Sequence, residues 1–418
     1  MEDKVAEIFR SLRTQAAAYC TALVKWLVLA IIVGVLSGVV GSLFHHGVDH
    51  VTELRGEYPW LIYLLPLAGL VIVALYKGTK TEGQGTNDIF DAVRQGKPVK
   101  FLLLPAIFFG TIITHFFGGS AGREGAALQM GGVLGYHSGK LFRLDGQDLR
   151  TATMTGMAAF FTALFGTPVG AAVFAIGVIS VGTIYHAAMI PCLAASLTAF
   201  GISQLLGVEP TRFAVDVPPL DAKMVVFVAV FAVLCALLSV IFCETMHFTG
   251  HQFSKRFPNP WIRAAAGGFV IAALTAVLRT NDYNGAGMDV IASAVEQGTA
   301  HPAAFLLKLI FTAITLAAGF KGGEVVPSFF VGATFGCVVG PLLGIPAGFA
   351  AAIGLISVFC GVTNCPLASI FLAVELFGDG GLLYFAIACG LSYMLSGYSS
   401  LYSSQDILYS KLKDTLLK

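Results

Sequence analysis

The chain has 418 residues, of which 56% are hydrophobic and only 12% are charged. Soluble domains carry about 25% Asp, Glu, Lys and Arg, roughly twice this fraction. Because a water-soluble fold cannot hide so much apolar side chain, most of the surface is expected to face lipid. This excludes a cytoplasmic enzyme, a nucleic-acid-binding protein and a secreted scaffold, and the balance of 25 basic and 24 acidic residues gives no basic patch.

The first part of the chain predicts a short amphipathic helix at the membrane surface over residues 1–20. Acids and bases are mixed there, and the apolar run from Thr21 to Phe44 lacks a cleavage site, so a signal peptide is not indicated. The apolar run is expected to be the first membrane span.

Further apolar runs follow as far as residue 397, and several are too long for one helix or too short for a clean crossing, which needs about 20 residues. Glycine interrupts nearly all of them, and small-xxx-small steps such as Gly34 and Gly38 suit closely packed helices. We therefore expect an all-α integral membrane protein with many tilted and broken helices. After the membrane part we expect one C-terminal helix over residues 401–418 and no soluble regulatory domain.

An internal repeat divides the apolar part into a first membrane repeat over 21–207 and a second over 222–400. The segment 122–124 aligns with 322–324 at an offset of 200, and 168–176 aligns with 366–374 at an offset of 198. Two similar halves with a glycine-rich break in each are typical of repeat transporters. The breaks are expected to meet near the midplane, where half-helix N-termini hold an anion, but the alignment leaves open whether the repeats are inverted or parallel.

Two glutamates in these breaks are the main candidates for chemistry. Glu124 follows Gly122 and Arg123 and precedes Gly125, and an intramembrane carboxylate costs about 2.5–3.5 kcal/mol on insertion scales, so a function is expected. Glu124 could take the place of an anion and leave when protonated, or it could simply pair with Arg123. Glu324 stands before a predicted helix start, which Pro327 marks, so the backbone amides of residues 324–326 are expected to be free. Alternatively, Glu324 could form a structural salt bridge with Lys321.

Two further segments offer anion donors. Gly83, Gly85, Thr86 and Asn87 precede a helical pattern, and Thr86 or Asn87 is the expected N-cap, although an ordinary capped surface helix would have the same pattern. Tyr402 could donate its hydroxyl to an anion, or it could be an interfacial tyrosine.

Other candidates favour structural interpretations. Ser120 lies in a G-x-S-x-G pattern, which indicates a hydrolase only at a strand-to-helix turn with a histidine and an acid to follow. The eight cysteines form no C-x-x-C pair, His115 and His247 lie at span ends, and Glu375 is interpreted as a structural acid. No metal site and no cofactor are expected.

These motifs resemble, in order and from about Leu27 to Tyr402, those of the CLC family of chloride channels and anion/proton antiporters. Residues 122–125 resemble the family's G-R-E-G-P, whose glutamate is the gate and the external proton carrier. Residues 322–327 resemble G-x-F-x-P, residues 401–403 resemble the stretch with the anion-contacting tyrosine, and residues 83–87 stand where the family places G-S-G-x-P. The resemblance implies inverted repeats and a homodimer with one pore per subunit.

Departures from the family pattern resemble its fluoride-exporting branch. Gly85-Thr86-Asn87 replaces the usual serine motif, Ala126 replaces a proline, and Glu324 or its neighbours replace a phenylalanine. The internal proton-transfer glutamate of chloride/proton antiporters falls near Gly177 and Val178, which cannot carry protons.

Fluoride is small and strongly hydrated, so its site needs dense short-range donors. Candidates for the anion site are the glycines 83, 85, 122 and 125, together with Thr86, Asn87, Arg123, Val325, Val326, Phe329 or Phe330, and Tyr402. The predicted function is a fluoride/proton antiporter of the cell membrane, in the bacterial inner membrane, that exports fluoride with chloride as a weak competitor. A chloride/proton antiporter, a passive anion channel and, from another class, an intramembrane hydrolase built on Ser120 remain as alternatives.

Overall fold

The computed structural model of the chain describes residues 2–413 and 415, with side chains from residue 12 onward. Sixteen α-helices account for most of these residues. The first eight are α1 (Glu2–Glu57), α2 (Leu65–Gly78), α3 (Thr86–Gln95), α4 (Leu103–Phe116), α5 (Glu124–Leu141), α6 (Gly146–Phe165), α7 (Pro168–Gly177) and α8 (Met189–Leu205). The other eight are α9 (Ala222–Arg256), α10 (Pro260–Leu278), α11 (Met288–Ala292), α12 (Ala304–Ala317), α13 (Val325–Val339), α14 (Ala347–Thr363), α15 (Pro366–Phe377) and α16 (Leu382–Leu395).

Shorter elements connect these helices. Single helical turns occur at Pro59–Leu64, His186–Ala188, Ser293–Gln297, Gly340–Leu343 and Asp379–Gly381. Two short strands, β1 (Ser180–Val181) and β2 (Asp406–Ile407), pair in parallel. Within the described residues, six helical segments are long and apolar enough to cross a membrane, and several apolar helices are shorter than a full crossing. The expectation of an all-α membrane protein with broken helices is confirmed.

The eight helices from α1 to α8 recur in the same order as α9 to α16. Helices α1 and α9 are the longest of each half, and α5 and α13 each begin directly after a glycine-rich break. The two breaks pair antiparallel, with the Gly122 amide donating to the Gly323 carbonyl over 2.8 Å and the Gly323 amide donating to the Gly122 carbonyl over 2.7 Å. Antiparallel pairing of equivalent segments is the local geometry of a two-fold axis between the halves, as in inverted repeats.

Two expectations about the ends of the membrane part are wrong. The surface helix over 1–20 is not a separate element, because α1 continues through residue 20 into the first span, and residues 2–33 contain no glycine or proline that would interrupt it. The C-terminal helix over 401–418 is absent from the described residues 401–413 and 415, which are extended or irregular.

The C-terminal segment is extended because other elements bind its polar groups. The Gln405 side-chain amide donates to the carbonyls of Val178 and Thr363 over 2.6 and 2.8 Å, at the ends of α7 and α14. The Arg94 guanidinium lies 3.2 Å from the Asp406 carboxylate, which fixes β2 near α3. These contacts replace the hydrogen bonds that a terminal helix would have made.

The pairing of the breaks leaves no room for side chains. A methyl group on Gly323 would lie 2.2 Å from the Gly125 backbone nitrogen, and one on Gly125 would lie 2.7 Å from the Gly323 Cα. We predict that Gly323→Ala lowers the free energy of unfolding by about 1–3 kcal/mol, because backbone has to move on both sides. Thermal unfolding in detergent measures this change.

Gly201→Ala is the matched control, because that glycine is also helical and has open space where a methyl group would be added. It should be neutral or slightly stabilising, since alanine favours helix. Equal melting temperatures for Gly323→Ala and Gly201→Ala would contradict the close approach.

Candidate functional site

Helices α5 and α13 begin on either side of the paired breaks, so two helix N-termini meet in the interior. Glu124 is the first residue of α5, and Glu324 is the N-cap residue directly before α13. Pro327 lies in the first turn of α13, and Val325 and Val326 are fully buried there. The free amides of first turns carry partial positive charge, so this meeting point favours an anion.

The Glu124 carboxylate lies at this meeting point. The side chain is 1% exposed, and the backbone amides of residues 123, 124 and 326 face its carboxylate. These amides come from both helix starts, one from each repeat. Its Oε2 atom makes no side-chain hydrogen bond with the described atoms that satisfies ordinary geometry. The carboxylate is therefore held in the field of the two helix ends, a position whose positive partial charge suits a negatively charged group.

Arg123 does not neutralise Glu124 directly. Its Nη1 atom donates to the Asp49 carboxylate over 2.9 Å, and Asp49 also lies 2.9 Å from Nε2 of His45 on the same helix, α1. The Arg123 Nε atom is 3.7 Å from the Glu124 carboxylate, which is an ion-pair separation without a hydrogen bond. The structural interpretation of Glu124 is that it simply pairs with Arg123. That pairing alone does not explain why the Glu124 carboxylate lies at the two helix ends.

Glu324 lies on the opposite side of the same meeting point. Its carboxylate reaches toward Gly125, in the first turn of α5, and its electrostatic partner is the imidazole of His247 on α9. Lys321, the structural partner considered from the sequence, points elsewhere and places its Nζ atom 4.1 Å from the centre of the Tyr76 ring. The structure therefore does not provide the salt bridge that would make Glu324 purely structural.

Tyr402 closes the site from the C-terminal segment. The residue is 3% exposed, and its ring packs edge-on against Phe90 of α3 at 4.9 Å between ring centres. Its hydroxyl is buried and has no hydrogen-bond partner among the described atoms. Both Glu124 and Glu324 act electrostatically on this hydroxyl. A buried hydroxyl without a partner is costly, so the Tyr402 hydroxyl remains available as a hydrogen-bond donor.

The segment before α3 lies beside Tyr402 and α5. Gly83 forms a left-handed turn with φ of +74°, and Gly85 is the N-cap, so the expectation of Thr86 or Asn87 as N-cap is wrong. The Asp88 carboxylate accepts the Gly85 amide over 2.8 Å, which satisfies that end of α3. Thr86 and Asn87 therefore begin the helix, and their side chains are free to serve other partners.

Thr86 and Asn87 each contact a different part of the site. The Gln129 side-chain amide of α5 donates to the Thr86 Oγ1 over 3.0 Å, which leaves the Thr86 hydroxyl hydrogen available. The Asn87 Oδ1 accepts the Ser404 amide over 3.0 Å and so holds the Tyr402 segment in place. The sequence analysis did not single out Gln129, whose signal is an amide side chain within an apolar run.

Phe329 lies within a buried aromatic cluster, one turn into α13. Its ring packs edge-on against Phe359 of α14 and Phe165 of α6, with ring centres 5.1 and 5.9 Å away. Phe330 points to the other side of α13, where the Lys308 Nζ atom lies 5.2 Å from its ring centre. Of the two phenylalanines considered, only Phe329 therefore belongs to the cluster that joins the two repeats.

Ser120 and Glu375 have structural partners. The Ser120 Oγ is 3.0 Å from the Thr312 Oγ1, and its amide donates to Thr315, which gives hydroxyl contacts rather than a histidine-and-acid arrangement. The Glu375 carboxylate accepts the amides of Val169 and Gly170 over 2.9 and 2.8 Å, at the first turn of α7. Glu375 thereby caps a helix of the first repeat from the second repeat.

Comparisons with known proteins agree with this architecture. The family described as voltage gated chloride channel matches residues 68–397. A "chloride/fluoride channel protein" of Pseudomonas syringae pv. tomato is 37% identical over 396 residues, covering 93% of this chain and 87% of the relative. An H(+)/Cl(−) exchange transporter of Vibrio cholerae is 26% identical, covering 94% of this chain and 90% of the relative.

Solved structures share the fold. The crystal structure of a CLC-type fluoride/proton antiporter superposes with a TM-score of 0.89 and 32% identity, covering 92% of this chain and 98% of that one. The structure of a slow cyanobacterial Cl−/H+ antiporter has a TM-score of 0.77 at 19% identity, covering 89% and 94%, and is similar in fold alone.

Proposed function

The chain belongs to the voltage gated chloride channel family, known as CLC, and we propose that it is a fluoride/proton antiporter that exports fluoride from the cytoplasm. It is a multi-pass membrane transport protein rather than an enzyme. The observation that carries the proposal is the placement of the Glu124 carboxylate at two helix N-termini, with Glu324 and the unpartnered Tyr402 hydroxyl beside it. The similarity to a fluoride/proton antiporter structure supports the same transported ions.

Glu124 couples the two ions by competing with the anion for one place. While its carboxylate is charged, it takes up the positive field of the helix ends and keeps a mobile anion out. Once protonated, it loses that attraction, and fluoride binds the amides in its stead. Protonation of Glu124 therefore frees the site for an anion, and return of the charged carboxylate displaces the anion, so that the proton on Glu124 and the anion move in opposite directions.

Glu324 gives the proton a second carrier within reach of the site. The helix α7 ends at Gly177, so the position at which chloride/proton antiporters hold an internal glutamate has no ionisable side chain here. Glu324 is the carboxylate that the second break supplies in its place, and it acts on the Tyr402 hydroxyl together with Glu124. Protons that enter on Glu124 then leave toward the cytoplasm through Glu324.

The donors around the site suit a small, strongly hydrated anion. They are the amides of Gly125, Val325 and Val326, the side chains of Thr86, Asn87 and Tyr402, and the ring edge of Phe329. Gly85 and Gly122, also considered from the sequence, shape the site instead, because their amides already donate to Asp88 and to the Gly323 carbonyl. Such donors make short contacts that replace water around fluoride, and chloride gains less from them because of its larger radius. Arg123 contributes its positive charge at the edge of the site. Gly83 contributes the turn that positions α3.

We propose that the functional unit is a homodimer with one pore in each subunit, as the family resemblance implies. All the site residues named above come from a single chain, so each subunit contains a complete site. The proposed location is the bacterial inner membrane.

Glu124→Gln should abolish proton coupling, because an amide has the shape of the protonated acid and cannot release its proton. In proteoliposomes, fluoride efflux would continue while proton movement against its gradient falls to background. Fluoride and chloride electrodes together with an internal pH dye measure both ions. Robust uphill proton movement in this variant would remove Glu124 from the assigned role.

Glu324→Gln should lower fluoride turnover by roughly 100-fold, the lower end of what a positioned proton-transfer group contributes. Glu57→Gln is the matched control, because that carboxylate is exposed at the end of α1, away from the meeting point. Fluoride flux of wild-type size in Glu324→Gln, with intact folding, would return Glu324 to a structural role.

Tyr402→Phe should weaken fluoride binding by about 10- to 100-fold, the effect of one hydrogen bond to a charged group. Folding should be unchanged, because the hydroxyl has no partner among the described atoms and the ring contact with Phe90 is kept. The concentration dependence of fluoride efflux and the melting temperature are the two measurements. A large drop in melting temperature with unaltered fluoride affinity would show that the hydroxyl serves packing.

The first alternative, a chloride/proton antiporter, differs in the anion that moves. Chloride efflux comparable to that of fluoride in the same vesicles would favour it. A passive channel, the second alternative, would move fluoride without driving protons uphill.

A further inference from the structure

A cavity of about 420 Å³ lies outside the anion site, between the end of α2 and the start of α10. Apolar side chains of α2, including Ile72 and Val73, form part of its wall. Three cationic side chains also line it, namely Lys77, Arg263 and Lys321. The cavity is therefore half apolar and strongly basic, which is unusual for a pocket between membrane helices.

The distribution of charge places this cavity at the cytoplasmic end. Residues of two polar connecting segments, 77–100 and 249–263, line the cavity. These two segments together carry eight Lys or Arg and three Asp or Glu. The connections 208–222 and 279–301, at the other ends of α9 and α10, carry two Lys or Arg and six Asp or Glu. Cytoplasmic loops of membrane proteins hold the excess of Lys and Arg, so the cavity opens toward the cytoplasmic leaflet.

The cations of the cavity lack carboxylate partners. Among the described side chains, none forms an ion pair with Lys77, Arg263 or Lys321 within 4.0 Å. Arg263 and Lys321 repel each other, and Asp88 attracts Lys321 only through space. One carboxylate, Glu82, also lines the cavity, so the lining keeps an excess of positive charge over negative charge. A bound anion would stabilise that excess.

Two buried donors also lack partners there. Tyr76 is 4% exposed, and its hydroxyl has no hydrogen-bond partner among the described atoms. The Nε atom of Arg263 is likewise buried and without a partner in the described chain. Unsatisfied buried donors are rare in native structures, and both residues line the cavity.

The surroundings of the cavity are those of a lipid. Leu67 and Val71 on α2, and Ile262 and Phe269 on α10, are more than half exposed on the two helices that form the cavity. Trp261 lies at its margin, with the Lys77 Nζ atom 5.5 Å from its ring centre, and tryptophan marks the membrane interface. Acyl chains would cover these apolar side chains, while a polar headgroup would lie among the cations.

We propose that this cavity binds the phosphate headgroup of an anionic phospholipid of the cytoplasmic leaflet. A phosphodiester presents charge and several acceptor oxygens at once, so it can reach the three cations and the Tyr76 hydroxyl together. A single fluoride ion would contact only one or two of these donors and would leave most of the volume unfilled. Basic pockets between helices at the cytoplasmic side are suited to such headgroups.

The site is connected with the transport machinery through Lys321. Lys321 stands two residues before Gly323 of the paired breaks, and its electrostatic partner Asp88 holds the N-cap of α3. A phosphate that holds Lys321 therefore stabilises the chain between the cavity and the second break. Exchange is expected to be faster in bilayers that contain anionic lipid.

The test compares retention of phosphatidylglycerol and phosphatidylcholine by the purified full-length protein in native mass spectrometry. Wild type should retain phosphatidylglycerol preferentially. The double variant Lys77→Gln/Arg263→Gln should bind it about 25-fold more weakly, roughly fivefold for each cation near a lipid surface. Lys255→Gln/Arg256→Gln is the matched control, because it removes two exposed charges from the same end outside the cavity.

Tyr76→Phe is a milder variant that keeps the cation contact of Lys321 with the ring and should also lower retention. Equal losses in the double variant and its control, or no preference for phosphatidylglycerol in wild type, would overturn the proposal. It would also be overturned if cavity variants changed the fluoride dependence of efflux while lipid retention stayed constant, since the cavity would then hold the transported anion. Lipid retention is measured without transport, so its outcome is separate from that of the proposed exchange.

Discussion

The backbone pairing of Gly122 with Gly323 is the interaction on which the rest of the site depends. A break in a membrane helix frees amides and carbonyls that hydrocarbon cannot satisfy, so it is tolerated only where protein supplies partners. Each break here supplies partners for the other, through two hydrogen bonds of 2.8 and 2.7 Å. The same pairing fixes where α5 and α13 begin, and it therefore brings Glu124 and Glu324 to one place.

The field of the two helix ends adds to the attraction of Arg123 in holding the Glu124 carboxylate. The Arg123 charge is shared with Asp49, so the direct salt bridge to Glu124 remains long, at 3.7 Å. Amide dipoles stabilise an anion but do not hold one particular anion, and any group of the right size and charge can take the place. A residue bound by an arginine fork would be much harder to displace. Weak, exchangeable binding is the property that a transported ion requires.

The features that the sequence alone predicted are those with local or repeating signals. The glycine-rich breaks, their acids and the two halves are visible as patterns in residues 122–125 and 322–327, because charge is exceptional in apolar runs and the two segments recur at a fixed offset. The N-cap at Gly85 and the path of the C-terminal segment could not be predicted in this way. The first depends on a single Asp88 contact, and the second depends on side chains such as Gln405, which binds the Val178 carbonyl 227 residues away. Partners of this kind leave no period or spacing in the sequence.

The two repeats depart from two-fold symmetry at the site, so its two sides are chemically different. The repeat places a carboxylate in each break, but Arg123 of the first break corresponds to Gly323 in the second, so only Glu124 is next to the Arg123–Asp49 pair. Tyr402 comes from the segment after the second repeat, and contacts with Phe90 and Asn87 of α3 hold it on one side of the meeting point. Two carboxylates in equivalent surroundings would bind protons and anions alike. Because Glu124 also faces the Arg123–Asp49 ion pair and Glu324 does not, the two carboxylates differ in their surroundings, as the separate roles proposed for them require.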